Sequence, residues 1–284
     1  MITINVPKIF QPIDRIVYPN ENNMTTEEVV YNEFSKRNIA SSLIYVPIFW
    51  TTYHSRSNFG HDDIAIKKVK KFVQSISRPW FTISQYDDGI LIDKSEIKTR
   101  FVSLSAGGKG DIPIPLTRYA WPDEGRGDQK YLASFVGNLK TEQQTNIRAA
   151  MIEKLSDKPE FFFYDTSKTY GPFKDIMLRS RFALCPRGYG RTSFRLYEAM
   201  QMGTIPIYIS DVHWLPFQKY VNWDDICIRI FPNQLSDLYN TLTSISNERI
   251  VAMSEACKRA WIEYFSYTAM TKMIIKMLEN GDIK

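Results

Sequence analysis

The sequence predicts an α/β protein of two lobes, each a parallel sheet flanked by helices, with a cleft between them. Three observations point there. The 284 residues are roughly two domains' worth. Apolar runs of strand length alternate with helically spaced stretches in both halves. A polar segment rich in Pro and Gly separates the halves.

In the first half, 41–49 (SSLIYVPIF) is an apolar, strand-like run. Residues 63–76 (DIAIKKVKKFVQSI) have helical spacing and a basic outer face. Residues 79–89 (PWFTISQYDDG) read as a strand ending in an acidic turn closed by glycine, and 99–108 (TRFVSLSAGG) as a strand ending in a glycine pair. The segment 109–130 (KGDIPIPLTRYAWPDEGRGDQK) reads as the linker.

The rhythm then restarts. Strands are expected at 131–138 (YLASFVGN), 160–166 (EFFFYDT) and 204–211 (TIPIYISD). Helices are expected at 141–155 and at 192–203, the second closed by Gly203, and 175–186 reads as a helix running into a strand. The stretch 258–278 again has helical spacing of aromatic and aliphatic residues, which suits packing. In parallel sheets the ligand lies at the carboxyl ends of strands, so residues just past the strands carry most weight.

Composition narrows the class. The chain is 44% hydrophobic and 14% aromatic, enough to bury a substantial core and to exclude a disordered chain. A net charge of +5, from 36 basic and 31 acidic residues, is too small and dispersed to argue for nucleic acid, though it favours an anionic substrate. Cys185, Cys227 and Cys257 are widely separated, which predicts neither a zinc site nor a disulfide framework and fits a reducing compartment. The first residues lack a signal-peptide pattern and no run approaches ~18 apolar residues. A soluble, cytoplasmic protein without an integral membrane segment is expected.

The most informative stretch is 185–217. An apolar strand ends at Cys185-Pro186, the loop Arg187-Gly188-Tyr189-Gly190-Arg191 follows, and a helix begins near Thr192-Ser193. The two glycines let the backbone pass close to a ligand with unusual dihedrals. Thr192 or Ser193 can cap the helix, whose free N–H groups favour an anion. Arg187, Arg191 and Arg195 can grip phosphate oxygens bidentately. Together these features describe a diphosphate site. Glu198 lies about one and a half turns down the helix, ~7–8 Å from its start. From there a carboxylate can accept both hydroxyls of a ribose, or else pair with Arg195 at i,i+3. The loop lacks the G-K-[ST] ending of a Walker A motif and is not a G-x-G-x-x-G fingerprint, which argues against ATPases and simple dehydrogenases.

The run 182–217 (FALCPRGYGRTSFRLYEAMQMGTIPIYISDVHWLPF) resembles the exostosin family of glycosyltransferases, glycosyltransferase family 47. FVGN (135–138) with Arg148 resembles the opening of that family's donor lobe, and GDIPIPL (110–116) its inter-lobe segment. The resemblance implies a GT-B-like architecture of two Rossmann-like lobes. Residues 1–120 would be the acceptor-binding lobe, 121–265 the nucleotide-sugar lobe, and 266–284 a helix crossing back to the first lobe. Arg187, Arg191, Thr192 and Ser193 would hold the diphosphate, with Gly188, Tyr189, Gly190 and Arg195 completing the loop. Glu198 would hold the ribose, Ile207, Asp211 and Trp214 would line the base and sugar, and Gly137, Asn138 and Arg148 would open the donor site.

The reaction implied is inverting transfer from a UDP-sugar to a hydroxyl of a glycan or glycoprotein-glycan acceptor, with no metal and no cofactor beyond the donor. Without the membrane anchor, long stem and several cysteines of eukaryotic exostosins, the chain resembles a compact microbial or viral type such as the short exostosin-like xylosyltransferases of large algal viruses, whose donor is a pentose, so UDP-xylose leads the candidates. The alternative is a non-catalytic nucleotide-sugar or glycan-binding module.

An inverting transfer needs a base for the acceptor hydroxyl. Tyr86-Asp87-Asp88-Gly89 ends an apolar strand, which makes Asp87 the first candidate and Asp88 the second, against an acidic turn. Asp62, in Gly60-His61-Asp62-Asp63, is the rival, against a helix cap. His54 and His61 read as packing or surface residues. The three Asp-Asp pairs, 62–63, 87–88 and 224–225, lack the D-x-D spacing of metal-dependent transferases.

Overall fold

The computed structural model describes residues 1–11, 24–90, 92–139, 146–167 and 171–284. They form two units, one joining Met1–Tyr119 to Tyr267–Lys284 and the other comprising Ala120–Ser266.

In the first unit, helix α1 (Thr26–Phe34) opens on a capping box. The Thr25 side chain accepts from the Glu28 amide while the Glu28 carboxylate accepts from the Thr25 amide. The apolar run 41–49 was expected to be one strand, but only β1 (Ile44–Tyr45) enters a ladder. Pro47 has no amide to donate, and the chain turns through Ile48 into α2 (Trp50–Arg56). Asp62 caps α3 (Asp63–Gln74), followed by β2 (Trp80–Ser84) and β3 (Phe101–Ser105). Strand β4 (Ile112–Pro113) pairs with β3, so the start of the expected linker is sheet. All four strands are parallel in the order β1-β2-β3-β4, over a core that includes fully buried Trp50, Trp80 and Val69.

The rest of the expected linker is also anchored. The Arg126 guanidinium donates to the carbonyls of Gly203 and Ser180 and to the Ser254 hydroxyl, which ties the segment to the second unit's interior. That unit holds β5 (Tyr131–Gly137), α4 (Ile147–Leu155), β6 (Phe161–Asp165), α5 (Phe173–Leu178) and β7 (Ser180–Pro186). They are followed by α6 (Phe194–Met202), β8 (Ile205–Ile209) and β9 (Ile228–Ile230). The helix expected at 141–155 is described only from 146 onward. Gly203, at φ 70°, closes α6 in the left-handed region that glycine enters without strain. The sheet is parallel throughout, in the order β6-β5-β7-β8-β9.

Two helices, α7 (Leu238–Thr243) and α8 (Asn247–Ala260), complete the second unit. The single helix expected over 258–278 is broken. After α8 comes a π turn, Trp261–Phe265, then Ser266 in an extended conformation, then α9 (Tyr267–Glu279), which belongs to the first unit. No helix among the described residues is long and apolar enough to cross a membrane.

Candidate functional site

In the second sheet the chain leaves β5 for β6 on one side and then crosses to β7 on the other. Ligands of such sheets sit outside the carboxyl ends of the strands where the order reverses, here β5 and β7. Gly137 and Asn138 stand at the first end, Pro186 and Arg187 at the second.

The loop after β7 begins as a continuation of the ladder, with the Arg187 amide donating to Ile209 O at 3.0 Å. The Arg187 guanidinium closes on Asp211 through two contacts, Nη2 to Oδ2 at 2.9 Å and Nε to Oδ1. Its Nη1 also donates to the carbonyls of Gly188, Tyr189 and Gly190, at 3.2, 3.3 and 3.4 Å. The guanidinium in turn holds the Asp211 carboxyl below its usual range. Arg187 was expected to grip phosphate, but at 13% side-chain exposure its donors already clasp the loop. Neither Gly188 nor Gly190 has a positive φ. A Cβ at Gly188 would meet only an Arg148 nitrogen, 3.8 Å away, so glycine leaves the approach to Arg148 open.

Helix α6 starts beside this loop. Ser193 is its cap, accepting from the Arg195 amide at 3.2 Å. Thr192 is only 4% exposed, yet its Oγ1 has no hydrogen-bond partner. Trp214, 7% exposed, has an equally unpartnered Nε1, and the Arg191 guanidinium lies 5.2 Å from its ring centroid. Buried polar atoms are normally paired, so a leftover hydroxyl and a leftover indole donor beside a helix N-terminus mark a place for a polar ligand.

Arg148 adds a second cation beside Arg195. Its Nη1 donates to Asn138 O at 2.7 Å, its guanidinium lies over Phe135, and its buried Nε has no partner. Burial, then the neighbouring Arg195, lower its pKa. Arg195 donates to Glu198 at 3.1 Å and covers Phe173 at 4.8 Å. Glu198 is 5% exposed and pairs with Arg195 at i,i+3, as the residue spacing allowed. Two cations so placed, with one carboxylate opposite them, form a site that an anion relieves. Ile207 departs from expectation. It is fully buried in mid-strand, paired with Leu184 and Ile228, and is core because a central strand of a parallel sheet is covered on both faces.

In the first unit, the Gly89 amide donates to Tyr86 O at 2.9 Å, so Asp87 and Asp88 occupy a tight turn past β2. This turn interlocks with the loop past β3. A Cβ on Gly107 would lie 2.5 Å from Gln85 O and 2.7 Å from the Asp87 Cα, so only glycine fits. Asp88, with Lys94, Ser103 and Lys109, lines a cavity of about 640 Å³. The Asp62 carboxylate accepts from the amides of Ile64 at 2.9 Å and Ala65 at 3.2 Å, which makes it the cap of α3. Among the described residues no group of three or more His, Cys, Asp or Glu could hold a metal ion.

Two buried residues hold this turn: His54, read from the sequence as a packing or surface residue, and Glu27, which the sequence did not single out. His54 Nε2 donates to Gly89 O at 3.0 Å, its ring lies 4.6 Å from Tyr86, and burial pushes its pKa down to about 4. The Glu27 carboxylate Oε1 accepts from Gln85 N at 3.0 Å and from the Thr51 amide and hydroxyl at 3.0 and 2.8 Å. Gln85 Oε1 accepts in return from the Thr26 amide and hydroxyl, each at 2.9 Å. The T-x-x-E capping signature at 25–28 was visible in the sequence, but nothing local marked Glu27 as the buried member.

Two parallel-sheet α/β units, with a site at the switch point of the second, define a GT-B-like protein. Residues 82–245 match the Exostosin GT47 domain, more than half of the chain, and the chain belongs to that family. It is similar to Exostosin-1 of Bos taurus, 28% identical over 123 residues that cover 43% of this chain and 15% of the relative. Exostosin-1a of Danio rerio is 29% identical over 123 residues, 43% of this chain and 16% of the relative. The chain thus matches less than a fifth of the length of these relatives. Among solved structures it resembles Anabaena Alr3699/HepE in complex with UDP and glucose, at a TM-score of 0.45 and 9% identity, covering 89% of this chain and 80% of that one.

Proposed function

We propose that this chain is a glycosyltransferase that moves a sugar from a UDP-sugar to a hydroxyl of a glycan acceptor, with inversion and without a metal. The observation that carries the reading is the convergence, at the carboxyl ends of β5 and β7, of half-buried Arg148, Arg195 and the open edge of Gly188. The diphosphate lies there, with the amides at the start of α6 and the Thr192 hydroxyl. Arg148, Arg191 and the helix dipole then stabilise the charge that develops on the leaving diphosphate. Arg187 and Asp211 keep the loop in shape, Glu198 receives the ribose hydroxyls while holding Arg195, and the Trp214 indole N–H meets the donor.

We place the general base on Asp88, a residue that lines a cavity, in preference to Asp87. It takes the acceptor proton as the hydroxyl oxygen bonds to the anomeric carbon and the bond to the UDP oxygen breaks. UDP-xylose is the first donor to try. The test is a panel of UDP- and GDP-sugars with chelator present, read as melting-temperature shift and released nucleotide. Stabilisation by UDP and one UDP-sugar, weakened in Arg148→Ala, supports the reading. No shift with any nucleotide overturns it.

A further inference from the structure

The first unit contains a second cavity, separate from the one beside Asp88. It measures about 270 Å³ and opens between the N-terminal residues, α1 and the chain entering α2. Drug-sized ligands occupy sites from about 300 Å³ upward, so this space suits one small ring. Its walls combine two aromatic rings with polar side chains. Tyr31 and Phe49 meet edge to face, with centroids 5.5 Å apart. Asn5, Gln11, Asn32 and Glu28 also line the cavity, with Gln11 Nε2 donating to Val6 O at 2.9 Å and Asn32 Nδ2 to Met24 Sδ at 3.4 Å. The Glu28 capping box uses only Oε2, at 2.7 and 3.1 Å from Thr25 N and Oγ1, which leaves Oε1 unbonded among the described residues.

Carboxamides present a donor and an acceptor side by side, and a carboxylate accepts at two oxygens. Vicinal hydroxyls match that pattern, while the apolar C–H face of a sugar ring matches an aromatic wall. Among the described residues no Lys or Arg lines the cavity, so none of them compensates an anionic ligand. The cavity also borders the machinery that fixes the Asp87-Asp88 turn. Glu28 is chain neighbour to Glu27, which holds Gln85, and Phe49 lies two residues before Thr51, which Glu27 also holds. Both walls are thus braced by one buried junction.

We propose that this cavity is an acceptor-side subsite for one neutral sugar residue, stacked on Tyr31 and Phe49 and hydrogen-bonded by Asn32, Asn5 and Glu28. The proposal rests on the transferase reading only in taking the ligand to be a glycan.

The test is saturation-transfer NMR on the full chain with methyl glycosides of glucose, galactose, mannose, fucose and xylose, with glucuronic acid as the anionic control. The expected result is saturation of at least one neutral glycoside that UDP does not displace. Tyr31→Ala and Asn32→Ala should each weaken it about tenfold. Asn32 sits on the exposed side of α1, so its variant keeps the test valid should Tyr31→Ala not fold. The proposal is overturned by no saturation from any glycoside, by binding that both folded variants retain, by displacement with UDP, or by a preference for glucuronic acid. If UDP fails to bind while a glycoside binds through Tyr31, the subsite stands and the transferase reading falls.

Discussion

Arg187 and Asp211 are 24 residues apart, yet their side chains form a two-point ion pair where β7 and β8 end. The pair fixes the loop before any ligand arrives, and the guanidinium also gathers three loop carbonyls. In a double-mutant cycle of Arg187→Ala and Asp211→Ala, urea unfolding should give a coupling of about 1 kcal/mol, modest because Asp211 is half exposed. UDP affinity should fall similarly in both single variants and little further in the double. Additive losses would mean that Arg187 grips the ligand itself.

Thr192 separates stability from binding. Its buried hydroxyl has no partner, so Thr192→Val should leave the melting temperature unchanged or raise it. UDP affinity should fall roughly five- to tenfold, the worth of about 1 kcal/mol of hydrogen bonding. A variant that binds UDP as the parent does would remove Thr192 from the site.

Glu198 is the only carboxylate paired with Arg195 among the described residues, and Arg148 is close by. Glu198→Ala should cost about 2–4 kcal/mol in urea unfolding, because it leaves a largely buried charge uncompensated. Added inorganic phosphate should recover part of that loss in the variant and do less for the parent. Equal phosphate effects would count against an anion site here.

Asp88 and Asp62 should part company. Asp88→Asn should lower transfer by about 10²–10⁴-fold while UDP binding persists. Asp62→Ala should cost about 1 kcal/mol of stability, the loss of a helix cap, and leave transfer per folded molecule intact. Reversed outcomes would move the base to α3.

His54 sets a pH dependence. Its pKa falls from an ordinary 6.5 to about 4 on burial, so between those values the unfolded chain binds the extra proton. The stability it confers is therefore complete above pH 6.5 and is lost as pH drops toward 4, by up to about 3 kcal/mol. Glu27, whose pKa is raised by burial, works in the opposite sense, its share fading as pH rises past the ordinary carboxylate range. Melting curves from pH 7 to 4.5 should fall less steeply for His54→Gln than for the parent.

Much of this was legible in the sequence because it is local. The alternation of apolar runs and helical spacing exposes most strands, and the Arg-Gly loop between β7 and α6 stands out by composition. What stayed hidden depends on partners distant in sequence. Nothing near Arg187 says that Asp211 will consume its donors, and Ile207 reads as a strand-end residue until its neighbours on both sides are known. Pro47 and Ser266 each interrupt an apolar pattern that periodicity alone carries straight through. Arg126 turned an apparent linker into anchored chain, because a single buried guanidinium can satisfy backbone carbonyls that composition cannot reveal.

The assignment of α9 to the first unit has a consequence for the birth of the molecule. The second unit is one uninterrupted segment, whereas the first is assembled from both sides of it. During translation the later unit is thus the earlier to be complete. At ~5–20 residues per second, the opening segment waits on the order of ten seconds for the helix that Tyr267 begins. For that interval the face of α1 destined for α9 has no covering helix.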